Sequence, residues 1–287
     1  MTRETVIFPE KRKKFYSLFQ HLRNKPFFYH LKNNLNTRNS IYNDARRYDD
    51  IHWWKKNDLD FWTNIFSEIS GNAVLELACG TGRLAYSLVR EGADYTGLEI
   101  SSDFADLAKK KLIKGGNSAS ILLGDMRNFQ LNKTFDLIFI GFNSFLHLLN
   151  DEDANSCFKC VKKHMHENSR FLIDIFTPNP LFLYRPEGTR FPVLEYTDSN
   201  TDEHVNVEES NIYNPDDEIN ELTWYISSKT KKDFAVENFS MRMYFPSKMN
   251  QLLIDNGFEI LHQWGDYYRT GLGEGSKLQI YDVKVPL

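Results

Sequence analysis

The chain has few of the features that would take it outside the ordinary globular class. Its 287 residues include only three cysteines, Cys79, Cys157 and Cys160. An odd count offers no disulfide framework and suits a reducing compartment. No apolar run approaches the roughly 18 residues that span a bilayer. The N-terminal MTRETVIFPEKRKK lacks the apolar core of a secretory signal. A cytoplasmic protein with no membrane partner is expected. There is no internal repeat and no low-complexity tract. Aromatic residues, by contrast, are abundant at 14%, which points to well-filled cores and an aromatic-lined pocket.

Charge is distributed unevenly. Residues 1–47 carry a balance of +8 and the rest −12, for a net charge of −4. A basic arm suits nucleic acid, but the acidic body behind it would repel a phosphate backbone. The preferred reading is a solvated or interface-forming extension, through which, or through the lid described below, a homodimer could form. The rival is an RNA-modifying enzyme that docks RNA through residues 3–47.

Phe15, Leu18, Phe19 and Leu22 recur at helical spacing, so 10–23 reads as an amphipathic helix. Dense aromatics follow between Tyr42 and Phe66, and LDFWTNIFSEIS again has helical spacing. Then strand and helix alternate: strands at 73–77, 93–100, 118–123, 135–141 and 170–176, with helices at 82–92, 101–116 and 151–168. Continuous apolar strands separated by helices predict a doubly wound α/β sheet. From Phe191 to Met243 the pattern changes to strands alone, with NPDDEIN as a hairpin turn. This reads as a small antiparallel insertion, after which PSKMNQLLIDNG resumes the helix–strand order.

The stretch LELACGTGRLA joins the first strand to a helix. Gly80 and Gly82 permit positive φ and close backbone approach, and a helix N-terminus favours negative charge. Glu99 ends the second strand, placed to accept from ribose hydroxyls. To this point a dinucleotide such as NAD remains open, and an NAD-dependent oxidoreductase is a second rival. The chain offers no evident hydride-transfer acid for that chemistry. Glu76 would be repelled by a pyrophosphate but welcomed by an ammonium or sulfonium. Asp125, after the third strand, can accept from an adenine amino group, with Met126 packing against the ring.

On Glu76-x-x-x-Gly80-x-Gly82, Glu99, Gly124-Asp125-Met126 and FDLIFIGFNSFLHL the chain resembles the class I S-adenosylmethionine-dependent methyltransferases. The resemblance covers most of 73–176. It implies a Rossmann-like, mostly parallel seven-stranded sheet with the last strand antiparallel, beside an antiparallel β lid and N-terminal helices. It also implies S-adenosylmethionine as cofactor, with S-adenosylhomocysteine as product. Glu76 would then lie near the methionine ammonium, and Ala78, Cys79, Gly80 and Gly82 would line the donor. Glu99 would hold the ribose, Ile100, Asp125 and Met126 the adenine, and Gly141 and Phe142 the methionyl end. GFNSFLHLL lacks the proline-rich motif of base methylation and is similar to small-molecule methyltransferases of the glycine N-methyltransferase type. The expected reaction is methyl transfer to an N or O nucleophile of a small-molecule acceptor.

His147 is the candidate base, and Asn143 could orient a polar group. Tyr42, Tyr48, Trp54 and Arg47, with Tyr267 and Arg269, are candidates for the acceptor side. Cys157, Cys160, His164 and His166 mimic a zinc cluster, but one helix cannot wrap a tetrahedral ion, so no metal is expected. Cys157, Cys160, Val161 and His164 more simply form a buried helical stripe. The expected segments are a basic extension (1–47), a donor-binding core (48–180), a β lid (181–245) and a C-terminal helix with two strands (246–287).

Overall fold

The computed structural model describes residues 41–114 and 119–286. The helix expected at 10–23 and most of the basic arm lie outside the described residues. The chain enters through a short 3-10 turn (Ile41–Asn43) and two helices, α1 (Ala45–Ile51) and α2 (Leu59–Ser67). Strand β1 (Ala73–Leu77), helix α3 (Ala85–Arg90), β2 (Asp94–Glu99), α4 (Ser102–Lys114), β3 (Ser120–Leu123) and β4 (Phe135–Ile140) follow. Then come α5 (Asp151–Lys163), β5 (Met165–Phe176) and α6 (Pro180–Leu183).

The lid strands are β6 (Phe191–Thr197), β7 (His204–Asn214), β8 (Ile219–Ser228) and β9 (Ala235–Arg242). Helix α7 (Pro246–Asp255), β10 (Glu259–Trp264) and β11 (Leu278–Lys284) complete the chain.

Seven strands form one sheet in the order β10-β11-β5-β4-β1-β2-β3. β1 pairs in parallel with β2 and β4, β2 with β3, and β4 with β5. β11 runs antiparallel between β5 and β10, as the resemblance implies. The apolar runs in β1 and β4 are buried because helices cover both faces of a parallel sheet. One core cluster joins Leu75, Leu77, Phe145, Phe158 and Phe258; the other joins Val74, Trp62, Phe139 and Ile280. Chain direction across the sheet reverses between β1 and β4, so the loops leaving their carboxyl ends diverge. A crevice opens there, where doubly wound sheets bind ligands.

The second sheet is antiparallel, in the order β6-β7-β8-β9. Val205, Val207, Leu222, Trp224 and Phe239 on its inner side pack with Ile41 and Ile51.

Three elements depart from the expected ranges, one of them β5, which starts at Met165 and not at residue 170. The helix after the glycine loop begins at Ala85 and not at Gly82, because Gly82 itself lies at φ 76°. A single short helix therefore contributes little dipole to the crevice. The helix expected to run to residue 168 stops at Lys163. His164 ends it: its Nδ1–H donates to the Cys160 carbonyl at 2.7 Å, and its Nε2 accepts from Leu131 N–H at 2.8 Å. Cys157, Cys160, Val161 and His164 are all buried, whereas His166 falls on β5 beside Asp136.

Asp282 on β11 is fully buried and is gripped by Arg170 of β5, one of its bonds being 2.9 Å long. Arg170→Ala leaves that carboxylate without its hydrogen-bonded counter-charge. Urea unfolding is expected to show a loss of about 3–5 kcal/mol. A loss under about 1 kcal/mol would mean that the pair behaves as a surface bridge.

Candidate active site

The glycine loop is shaped by backbone conformation. Ala78, Gly80 and Gly82 all have positive φ, at 55°, 59° and 76°. At Gly80 an added Cβ would meet nothing within 4 Å, so the space above it is open. At Gly82 it would come within 3.1 Å of Ala108 Cβ, which fixes how closely the loop packs on α4. Cys79 is buried against Gly97, where a side chain would collide with its sulfur at 2.6 Å.

Two buried acids border this loop. Glu99 accepts from Gly80 N–H and from Ser101 N–H, each at 2.8 Å, and burial raises its pKa. Glu76 accepts a short bond from the Tyr95 hydroxyl. Burial pushes the Glu76 carboxyl up to about 8, against the smaller opposing effects of Tyr95 and Arg83. An isolated buried carboxylate is costly, so a cation delivered to Glu76 would gain the most there. Ile100 beside Glu99 and Leu123 at the end of β3 are exposed at 63% and 62%. Apolar side chains left in water at the mouth of a crevice suit the faces of a flat ring. Asp125 is engaged by Arg127, whose side-chain and backbone bonds hold its pKa low. A carboxylate has more acceptor sites than Arg127 uses. Met126 is half-buried and leans on the core.

On the other wall, β4 ends at Ile140 and runs into Gly141, followed by Phe142 and Asn143 at φ 49° and 67°. Asp174 holds this strained turn: its carboxylate accepts from Phe142 N–H at 3.2 Å and its backbone carbonyl from Asn143 N–H at 3.0 Å. Asn143 Oδ1 accepts from Phe176 N–H at 2.7 Å. Through this bond Asn143 braces the ends of β4 and β5. Sequence reading missed most of the network around it. Tyr267 donates to Asp174 at 2.8 Å, Lys55 donates to Tyr267 at 2.8 Å and bridges Asp58 at 3.2 Å, and Arg83 grips Asp58 at 2.7 and 2.8 Å. Lys55, Asp58 and Asp174 are buried. Burial lowers the Lys55 pKa and would raise that of Asp58, but Arg83 and Lys55 more than offset it. The available signals were an acid inside the apolar run of β5 and an arginine directly after the glycines.

The aromatic residues of the entry segment do converge. Tyr48 lies 4.1 Å from His52 between ring centroids, His52 5.3 Å from Phe142, and Trp54 6.3 Å from Phe142. His52, also missed, is pushed down to about 4 by burial. Arg47 turns away to the lid and bonds Glu237 at 2.5 Å. Arg269 is placed differently from expectation: it pairs with Glu68 at 2.8 Å and lies over Trp264 and Phe61, which leaves it outside the network at Phe142.

His147 is half-buried, and both ring nitrogens are engaged. The Ser240 carbonyl, at 3.2 Å, can only accept, so Nδ1 carries the proton and Nε2 accepts from the Tyr42 hydroxyl at 2.7 Å. Burial pushes His147 down to about 4.

Sheet order, crevice and glycine loop together define the fold of the class I S-adenosylmethionine-dependent methyltransferases. Residues 74–168 match the methyltransferase-domain family. Among solved structures, a S-adenosylmethionine-dependent methyltransferase from Clostridium acetobutylicum ATCC 824 is similar over 85% of this chain and 98% of its own, with TM-score 0.70 and 20% identity. The cypemycin N-terminal methyltransferase of a Streptomyces species is 24% identical over 41% of this chain and 47% of its own length. The dTDP-3-amino-3,4,6-trideoxy-alpha-D-glucopyranose N,N-dimethyltransferase of Streptomyces venezuelae is 28% identical over 36% of this chain and 42% of its own length. The chain therefore spans about half the length of these curated relatives.

Two outcomes follow from the loop. Ala78→Gly relieves a left-handed alanine and is expected to stabilise the protein by about 1 kcal/mol in denaturant titration; destabilisation would contradict the strain. Glu76 binds its proton more tightly folded than unfolded. The stability it contributes is complete below about 4.5 and is lost as pH rises through about 8. The Tm of the unliganded protein is expected to fall over that window, and to fall less in Glu76→Gln. Equal slopes would place the titration elsewhere.

Proposed function

We propose that this chain transfers a methyl group from S-adenosylmethionine to an N or O nucleophile of a small-molecule acceptor. The observation that carries the reading is the open space over Gly80 beside two buried acids, Glu76 and Glu99. The residues fit such a donor: Glu76 for an ammonium, Glu99 for ribose hydroxyls, and Ile100, Met126 and Asp125 for adenine. Arg83, whose guanidinium lies 5.7 Å from the Phe142 ring centre and has an N–H not used on Asp58, would hold a carboxylate. When bound, the donor supplies a sulfonium-activated methyl group open to in-line attack. Among the described residues no helix is long and apolar enough to cross a membrane, and a cytoplasmic setting is part of this reading.

The chain's own contribution is alignment and proton removal. The aromatic faces of Phe142, His52, Tyr48 and Trp54 offer a wall that shields the reacting centre from water. Tyr42 and His147 are the proton-handling pair. The Tyr42 hydroxyl takes the acceptor's proton as its own passes to Nε2 of His147. Because His147 lies near 4, it stays neutral and able to accept from neutrality down to about that pH.

Calorimetry with S-adenosylhomocysteine and with NAD tests the donor. Binding of the former and none of the latter is expected, with at least about tenfold weaker binding in Glu99→Ala. Failure of S-adenosylhomocysteine to bind the wild type would falsify the proposal. His147→Ala and Tyr42→Phe are each expected to lower kcat by about 10²–10⁴ while donor affinity is kept. Unchanged turnover in both would remove the proton-handling role.

A further inference from the structure

Helix α1 stands between the glycine loop and the antiparallel sheet, and two adjacent carboxylates on it reach in different directions. Asp49 Oδ1 accepts from the Thr81 hydroxyl at 2.5 Å, and its Oδ2 pairs with Lys111 of α4 at 2.5 Å. Asp50 Oδ2 accepts from the Ser199 backbone N–H, in the turn between β6 and β7, at 2.9 Å. Arg47, three residues before Asp50 and so on the same face of the helix, bonds Glu237 of β9 at 2.5 Å. Ile51 is buried among the apolar residues of that sheet.

Thr81 sits between Gly80 and Gly82 and is only 3% exposed. The loop's backbone is held from the sheet side. Cys79 N–H donates to the Leu98 carbonyl at 3.0 Å, Gly80 N–H to Glu99 at 2.8 Å, and Gly82 packs on Ala108 of α4. Thr81 carries the tie to α1. A hydroxyl that donates to a carboxylate makes a charge-assisted bond, stronger than one between neutral groups. The Asp49–Lys111 pair is partly exposed on both sides and adds little by itself. It fixes the direction of the carboxylate, because Lys111 lies one turn beyond Ala108, where Gly82 packs. The left-handed Ala78 in the same loop persists only where surrounding bonds over-determine it.

We infer that Asp49 is a positioning residue for the methyl donor. Through Thr81 it fixes the loop on which the donor lies, and α1 carries that constraint on to the antiparallel sheet through Asp50 and Arg47. Donor bound over Gly80 removes freedom from the loop. Thr81 passes that loss of motion to Asp49, and the turn at Ser199 is held more firmly as a result. A protein already ordered by one ligand binds the second at a smaller entropic cost, so the donor binds before the acceptor. The inference rests on the proposed function in taking S-adenosylmethionine as the ligand over Gly80; the bonds through α1 do not depend on it.

Calorimetry and amide hydrogen exchange on the full chain, with S-adenosylhomocysteine as the probe, test both halves. In the wild type, saturating probe is expected to slow exchange at least about fivefold in residues 78–84 and also in 197–204. Thr81→Val keeps the shape and removes the hydroxyl; it is expected to bind the probe about tenfold more weakly. At saturation it protects 78–84 but not 197–204. Thr81→Ser restores the hydroxyl and with it both readings, a rescue that packing alone would not give because serine lacks the methyl group. Asp49→Ala, at a partly exposed position that does not threaten folding, is expected to match Thr81→Val. Asp50→Ala is expected to keep the protection of 78–84 and lose that of 197–204; circular dichroism melts verify that each variant is folded. Wild type that binds the probe without slower exchange at 197–204 overturns the inference and leaves the methyl-transfer reading intact. So does Thr81→Val with wild-type affinity and lid protection. Wild type that binds no S-adenosylhomocysteine overturns both.

Discussion

Asp58 has no solvent exposure, and a carboxylate in that position is tolerable only because two cations hold it. Arg83 does so with a bidentate pair and Lys55 with a single bridge. Lys55 then reaches Tyr267, Tyr267 reaches Asp174, and Asp174 carries the backbone of Phe142 and Asn143. Five segments far apart in the chain meet through these bonds: the α1–α2 junction, the glycine loop, the turn after β4, the end of β5 and the link to β11. Each member is anchored by its neighbours, so a fault in one exposes a charge at the next.

Both walls of the crevice contain strained backbone. Ala78 lies on one side, and Phe142 and Asn143 on the other, all non-glycine residues at positive φ. Each costs about 1–2 kcal/mol and persists only where surrounding bonds over-determine it. Glu99 supplies that restraint at the glycine loop and Asp174 at the β4 turn. The walls are thereby held in a shape that relaxed chain would not keep, which is what preorganisation of a binding site requires.

The two sheets divide the work. The parallel sheet presents loops at its carboxyl edge, and the antiparallel sheet presents side chains from its inner face. Rings join them. Phe142 leads through His52 to Trp224, and Tyr42 sits between His147 and Phe239. His52 and His147 are both kept neutral by burial, so the seam between the sheets gains no positive charge near neutrality.

Much of this was legible in the residues. Continuous apolar strands and the turn at Gly80 and Gly82 encode a local ladder and a local backbone path, and the order of the parallel sheet follows from chain direction and handedness. Asp174 was readable as an anomaly, an acid within LIDIF. For Asn143 and Arg269, a polar type at the right spacing does not say what it will bond. Asn143 met a backbone N–H of β5, and Arg269 met Glu68. The sequence by itself determined the fold class, the glycine loop and the acids near it, since these depend on periodicity and on residues close in the chain. Only the tertiary structure decided which charges pair and which histidine accepts from which phenol. Those outcomes depend on burial and on contacts across a hundred residues or more, where desolvation and geometry choose the partner and local pattern has no influence.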